Sequence, residues 1–267
     1  MKKLVICLFV FLLIAPSLSL AAEGRDTAQQ IEIFMKEALE EYHIPGASLA
    51  VVHNGQTIFQ DSWGTMSDGT AVKEDTTFLI GSVSKPLTSL AIMVLVEDGK
   101  IKLDEPIEAY IPWFKYQTDG TKSITVRHLL EQTSGISAYD GMKVTDQQGR
   151  DKEKGITQAI TELSGVKLSR VPGEAYEYNS ANYLLLGAII EAVSNQSFSA
   201  FMDTHIFSPL DMNNTTANYE SAVDKGFVPG FHSWVGKPVK GDGLYDQSGN
   251  AMDYAWCCII VGYYSFY

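Results

Sequence analysis

A serine and a lysine, Ser82 and Lys85, lie three residues apart where an apolar stretch begins. That stretch, Leu87 to Val96, is typical of a buried helix, and Gly99 can close it in the left-handed conformation. Residues three apart share one face of a helix, so the lysine amine can reach the serine hydroxyl. A serine hydroxyl needs a neighbour that takes its proton, and a lysine in an apolar pocket can do so because burial disfavours the charged ammonium. The spacing predicts a nucleophile and its base.

A purely structural role for Ser82 is the alternative, because serine is a common helix N-cap and Ser-x-x-Lys is a short motif. Two histidines invite a similar comparison. His53 follows a predicted strand beside a turn and is interpreted as a surface residue. His128 precedes two leucines in a predicted helix, which favours packing or capping over catalysis.

The elements around this stretch are mostly helices. Apolar residues recur at helical spacing between Asp26 and Tyr42, and Asn54-Gly55 between two alternating segments predicts a β-hairpin. Thr125 before a short apolar run predicts a capped helix that ends at Gly135. Further segments follow as helices at Ile156–Leu163, Leu184–Val193 and Phe198–Ile206, extended pieces at Ile101–Pro106 and Tyr110–Phe114, and an exposed loop at Asp140–Gly155.

The N-terminal residues 1–22 have the pattern of a secretory signal peptide: two lysines, an apolar run and then small residues. The apolar run is too short to span a membrane comfortably. We expect no stable membrane span in the chain once the signal peptide is removed. Cys7 lies inside the run, which argues against a lipidated cysteine. We expect a mature chain that begins near Ala22 or Glu23 and is secreted or periplasmic.

Composition excludes several classes of protein. The 267 residues carry a formal charge of −12, and without Lys2 and Lys3 the balance is 18 basic against 32 acidic residues, or −14. Such an acidic chain is a poor candidate for binding nucleic acid or anionic membranes. The remaining cysteines, Cys257 and Cys258, are adjacent, so no internal disulfide framework is expected. The length suits one large domain or two lobes.

Four stretches, in order, resemble the serine β-lactamase and penicillin-binding protein superfamily, above all its class C-like branch of β-lactamases, esterases and D-alanyl-D-alanine peptidases. They are the hairpin after Ile44-Pro45-Gly46, Gly81 to Lys85, Ile124 to Gly135 and Pro172 to Glu191. The resemblance implies a β-lactamase/transpeptidase-like α/β (α+β) fold over residues 23–250. It has an antiparallel sheet flanked by helices, a mainly helical lobe and an active site between them.

The resemblance also implies roles for single residues. Ser82 matches the acylated serine of the family and Lys85 its paired lysine, while Tyr178 matches the tyrosine of a Tyr-x-Asn element that shares proton transfer with that lysine. The last position of this element is Ser180 here, predicted to bind substrate with one hydrogen bond in place of an amide's donor and acceptor. This change weakens the expectation of β-lactam recognition and leaves esters or D-amino-acid peptides open. The family implies no metal and no organic cofactor.

The sequence departs from the family after Tyr178, where neither Lys-Thr-Gly nor His-x-Gly occurs. Residues 251–267 form an atypical apolar tail, uncharged from Tyr254 onward, which suggests a frameshifted or truncated reading frame. Two functions therefore stand side by side. One is an exported serine hydrolase that acts on an ester, β-lactam or D-amino-acid peptide, and the other is an inactive remnant that at most binds cell-wall peptides or penicillin-like ligands. In the family, the Lys-Thr-Gly or His-x-Gly element lies on a strand that flanks the serine and supplies the second oxyanion N–H. Without that strand, we expect marginal stability and weak turnover.

Overall fold

The computed structural model describes residues 27–145, 155–228, 231–232, 239–240 and 260–261, which divide into two units. A helix and a β-hairpin make up most of the described part of the first unit. Helix α1 covers residues 27–41, and strands β1 (Gly46–His53) and β2 (Gln56–Gly64) pair antiparallel. Asn54 and Gly55 between them have φ of 51° and 75°. Two left-handed residues match the twist of the flanking strands, so the predicted hairpin and helix are both confirmed.

The second unit is built around one apolar helix. Its helices are α2 (Ser84–Glu97), α3 (Val126–Leu130), α4 (Ala138–Thr145), α5 (Gly155–Leu163), α6 (Ser180–Ser194), α7 (Phe198–Met202) and α8 (Tyr219–Asp224). Helix α6 contacts α2, α3, α4, α5 and α7. Every residue from Ala181 to Ile190 is buried, because a helix that is apolar on all sides must be covered on all sides.

Short elements connect these helices. Two 3₁₀ turns cover Gly81–Val83 and Ile107–Ala109, and α7 continues through a π turn, Asp203–Phe207, into a 3₁₀ turn, Ser208–Leu210. Three small sheets complete the described secondary structure. Strand β3 (Phe78–Leu79) pairs antiparallel with β8 (Ile260–Val261), and β4 (Tyr116–Gln117) pairs parallel with β5 (Val166–Lys167). In the first unit, β6 (Phe231–His232) pairs antiparallel with β7 (Val239–Lys240).

Two sequence predictions were wrong. The pieces expected to be extended, Ile101–Pro106 and Tyr110–Phe114, form turns around a 3₁₀ helix. The loop expected from Asp140 begins instead inside α4, which runs to Thr145, and residues 146–154 lie outside the described part. This helix is fixed at its start, because Ser137 Oγ accepts the Asp140 N–H (3.1 Å) and donates to the Asp140 carboxylate (2.7 Å). Such local capping outweighs the polar composition that suggested a loop.

The C-terminal segment contributes one strand. Ile260 pairs with Leu79 and Val261 with Phe78, so β8 lies beside the strand that leads to Ser82. No pattern in this tail predicted a strand. Residues 1–22 and most of 251–267 lie outside the described part, and the predicted signal peptide stays a prediction. The fold is the mixed α/β fold that was expected.

Candidate active site

Ser82 lies in the 3₁₀ turn Gly81–Val83, which runs directly into α2. Gly81 has a φ of 52°, a left-handed conformation that suits glycine. The Ser84 hydroxyl donates to the Gly81 carbonyl oxygen at 2.5 Å and closes the turn. Ser82 is therefore at the N-terminal end of a 14-residue helix, where free N–H groups and the helix dipole favour a developing negative charge.

Lys85 is 5% exposed and its Nζ donates to Ser82 Oγ at 3.0 Å. Two aromatic rings lie beside the ammonium group, with ring centroids 5.0 Å away for Tyr178 and 5.7 Å away for Tyr183. The electron-rich faces of such rings attract a cation. The lysine is thus held within proton-transfer distance of the serine predicted to be the nucleophile.

The Tyr178 hydroxyl lies 2.8 Å from Ser82 Oγ, on loop residues just before α6. Burial acts to raise the pKa of Tyr178, but hydrogen bonds from Lys85 and Ser82, the charge of Lys85 and a hydrogen bond from Ser180 outweigh it. The pKa therefore lies below its usual value. A phenol with a lower pKa is present at lower pH as the phenolate, the form that can accept the serine proton.

All three residues predicted to be catalytic come together, and all belong to the second unit. Helical spacing predicted the Ser82–Lys85 contact, whereas only the family resemblance predicted a role for Tyr178 beside them. Ser180, the first residue of α6, is partly buried and is one of the neighbours that lower the pKa of Tyr178. Its contact with substrate stays a prediction, as does the placement of the site between sheet and helical lobe.

Sequence reasoning missed the buried polar residues that hold the Tyr178 loop. Asn179 is the N-cap of α6, and its Oδ1 accepts the Ala181 N–H at 2.9 Å. Its Nδ2 donates to the carbonyl oxygens of Ile136 (3.0 Å) and Ser137 (2.8 Å). Gln132 is a second such residue. A buried Asn or Gln in a loop leaves no periodic signal, but asparagine directly before a long apolar run is typical of a helix N-cap and could have been noticed.

Both histidines have local hydrogen-bond partners. The His128 Nδ1 accepts the Thr125 N–H at 3.1 Å while Thr125 Oγ1 accepts the His128 N–H at 3.3 Å, so the predicted capping role is confirmed. His53 is exposed, and its Nε2 lies 3.1 Å from Asn54 Nδ2, as expected for a strand-end surface residue.

No group of three or more His, Cys, Asp or Glu in the described part of the chain is placed to hold a metal ion. Independence from metals and cofactors stays a prediction. Among the described residues, no single helix is long and apolar enough to span a membrane. Helix α6 and the segment Phe198–Leu210 have that length and hydrophobicity only when taken together, and a bend of 77° separates them.

The chain resembles known hydrolases along most of its length. The Beta-lactamase family profile matches residues 31–255. The chain is 35% identical to protein flp of Staphylococcus aureus strain MW2 over 205 residues, and this alignment covers 74% of the chain and 41% of protein flp. Over 232 residues it is 29% identical to esterase EstB of Burkholderia gladioli, 82% of this chain and 58% of EstB. The chain therefore spans about two fifths to three fifths of these curated relatives.

Solved structures agree with the sequence matches. EstCE1, described as a hydrolase with promiscuous acyltransferase activity, superposes with a TM-score of 0.76 at 20% identity over 90% of this chain and 70% of that one, which shows a common fold. The octameric penicillin-binding protein homologue from Pyrococcus abyssi superposes with a TM-score of 0.71 at 27% identity, and the match covers 88% of this chain and 53% of that one. With Ser82, Lys85 and Tyr178 in contact, the expected family and fold are confirmed, and the chain belongs to the beta-lactamase family, within the serine β-lactamase and penicillin-binding protein superfamily.

Proposed function

We propose that this protein is an exported serine hydrolase that forms an acyl-enzyme on Ser82 from an ester, a β-lactam or a D-amino-acid peptide. One observation carries the proposal: Ser82 Oγ lies between Lys85 Nζ at 3.0 Å and Tyr178 Oη at 2.8 Å. A hydroxyl at hydrogen-bond distance from two groups that can exchange protons is the arrangement that nucleophilic catalysis requires.

The reaction follows from these contacts. Ser82 Oγ attacks the substrate carbonyl carbon while its proton passes to the Lys85–Tyr178 pair. The negative oxygen that forms lies near the N-terminal end of α2, where backbone N–H groups stabilise it. When the intermediate collapses, the leaving oxygen or nitrogen takes the proton back. Water then attacks the Ser82 acyl ester with help from the same pair, and the carboxylic acid leaves.

Esters are the substrates that this site suits best. Ser180 offers one hydroxyl where the family has an amide, so one donor and one acceptor of that amide are replaced by a single hydroxyl group. An ester linkage has no N–H, so it requires no hydrogen-bond acceptor from the protein, whereas a peptide bond does. The likeness to a protein named esterase EstB supports this choice.

Turnover assays separate this function from the inactive alternative, a protein that at most binds cell-wall peptides or penicillin-like ligands. The full chain is incubated with p-nitrophenyl acetate, nitrocefin and a D-alanyl-D-alanine peptide, beside Ser82→Ala. Activity toward the ester that is lost in Ser82→Ala supports the hydrolase. Rates equal to Ser82→Ala on all three substrates would support a protein that only binds.

Export rests on residues 1–22, whose two lysines, apolar run and small residues form a signal-peptide pattern. Expression in a bacterial host followed by fractionation and N-terminal sequencing tests it. The expected product begins near Ala22 or Glu23 outside the cytoplasm. A cytoplasmic protein that retains Met1 would contradict export.

A further inference from the structure

Gln132 hydrogen-bonds to the residues on both sides of Tyr178. Its backbone carbonyl oxygen accepts the Glu177 N–H at 2.9 Å, and its side-chain Oε1 accepts the Asn179 N–H at 3.0 Å. Gln132 follows the C-cap of α3, Glu131, whereas Tyr178 precedes the N-cap of α6, Asn179. One residue therefore fixes the backbone immediately before and immediately after the tyrosine.

The Gln132 side chain is itself firmly held. It is 6% exposed, and Asn182 Nδ2 donates to its Oε1 at 2.6 Å. The orientation of the Asn182 amide is set in turn, because Ser134 Oγ donates to Asn182 Oδ1 at 2.6 Å. Gln132 Oε1 thus receives two hydrogen bonds from donors that cannot exchange roles, which fixes its amide orientation.

Gln132 also has a φ of 59°, a left-handed conformation that is unfavourable for a residue with a side chain of this size. Such conformations persist where the surroundings impose them, and they concentrate at functional sites. Here the left-handed backbone coincides with the two bonds to residues 177 and 179. The chain keeps glutamine at a position that glycine would adopt with less strain.

We propose that Gln132 is a positioning residue that places the Tyr178 hydroxyl on Ser82, an inference that rests on the proposed function. The Tyr178 side chain is 47% exposed, so packing leaves much of it uncovered. With the backbone fixed on both sides, the direction of its Cα–Cβ bond is set, and the 2.8 Å contact with Ser82 follows. A displacement of about 1 Å at a reacting group can cost about 10²-fold in rate.

Three variants test this inference. Gln132→Gly removes the side-chain acceptor, retains the backbone carbonyl and relieves the left-handed strain, so it is expected to fold. Gln132→Glu keeps an acceptor oxygen at the same reach. Asn195→Gly is the matched control, because Asn195 is also left-handed (φ 60°) but is exposed at the end of α6.

Two properties are measured in each variant and in the wild type. The Tyr178 pKa is read from ¹³C-tyrosine NMR, with the resonance assigned by Tyr178→Phe. The second-order rate of Ser82 labelling by a fluorophosphonate is read from intact mass. We expect Gln132→Gly to raise the Tyr178 pKa toward the ordinary tyrosine value and to slow labelling by about 10-fold to 10²-fold. Asn195→Gly should leave both unchanged, and Gln132→Glu should retain most of the labelling rate.

The inference is overturned if Gln132→Gly leaves both the Tyr178 pKa and the labelling rate at wild-type values, or if Gln132→Glu loses as much labelling as Gln132→Gly. Should Gln132→Gly not fold, Asn182→Ser probes the same contact from the donor side and should raise the Tyr178 pKa. A wild-type protein that is not labelled at Ser82 would contradict the proposed function alone, because the NMR titration still reports whether Gln132 positions Tyr178.

Discussion

The Tyr178 hydroxyl lies 2.8 Å from Ser82 Oγ although 96 positions of sequence separate the two residues. The contact depends on the packing of α2 against α6, since Ser82 precedes the first helix and Tyr178 the second. A second polar pair joins the same helices, with Ser89 Oγ 3.2 Å from Tyr183 Oη. Any change that alters this helix pair should therefore act on the Ser82 site.

Removal of either proton-transfer group should slow acylation strongly. Lys85→Ala and Tyr178→Phe are each expected to lower the rate of Ser82 acylation by about 10² or more, the scale of general-base loss. Because both groups contact one hydroxyl, the double variant should lose little more than either single variant. Stopped-flow measurement of acylation with an activated ester checks this. Losses that multiply in the double variant would indicate independent roles.

Acylation should increase with pH as Tyr178 ionises. Burial opposes ionisation, but the hydrogen bonds from Lys85 and Ser82 and the lysine charge prevail, so the midpoint should lie below the ordinary tyrosine pKa of about 10. In Lys85→Met the lysine hydrogen bond and charge are lost, so burial is opposed less strongly and the midpoint should move to higher pH. Labelling rates from pH 6 to 11 give both midpoints. An identical midpoint in Lys85→Met would contradict the assignment of this limb to Tyr178.

His128 should make stability depend on pH. Burial lowers the pKa of this partly buried imidazole, and its Nδ1 must be unprotonated to accept the Thr125 N–H. A group whose pKa is depressed by folding contributes stability above its unfolded pKa of about 6.5 and loses it as pH falls through the folded value. Since the ring is only partly buried, the loss should stay under about 1 kcal/mol, within the usual cost of a lost cap.

The control for this effect is His128→Gln, which restores a capping box without a titrating group. Urea unfolding at pH 5 and pH 8 should show a smaller pH difference in this variant than in the wild type. Equal pH differences in the two proteins would assign the effect to other groups.

Gly141→Ala should destabilise the protein although alanine normally favours a helix over glycine. A Cβ at this position of α4 would lie 1.8 Å from Asn179 Oδ1 and 2.6 Å from its Cγ. The resulting displacement should cost about 1–3 kcal/mol and slow acylation, because Asn179 adjoins Tyr178. Thermal unfolding in a double-mutant cycle with Asn179→Ala checks the cause. The glycine change should cost less when the asparagine side chain is absent, and an undiminished cost would exclude this clash.

Local patterns predicted what local physics determines. Helical spacing placed Lys85 beside Ser82, and the Asn54-Gly55 pair placed the hairpin. The sequence could not show that Gln132 holds both sides of Tyr178, because a hydrogen bond between residues far apart in the chain leaves no periodic trace. Helix α4 was missed partly for the same reason, because the Ala138 N–H donates to the distant Glu177 carboxylate. Its cap by Ser137 is local and could have been noticed.

Peptide mapping by mass spectrometry after incubation with a fluorophosphonate tests the central claim most directly. The account predicts one covalent adduct, on the peptide that contains Ser82 and at that residue. Ser82→Ala should remove the adduct, and Tyr178→Phe should slow its formation. An adduct on Ser84, Ser134 or Ser180 with Ser82 unmodified would contradict the assignment of Ser82 as the nucleophile.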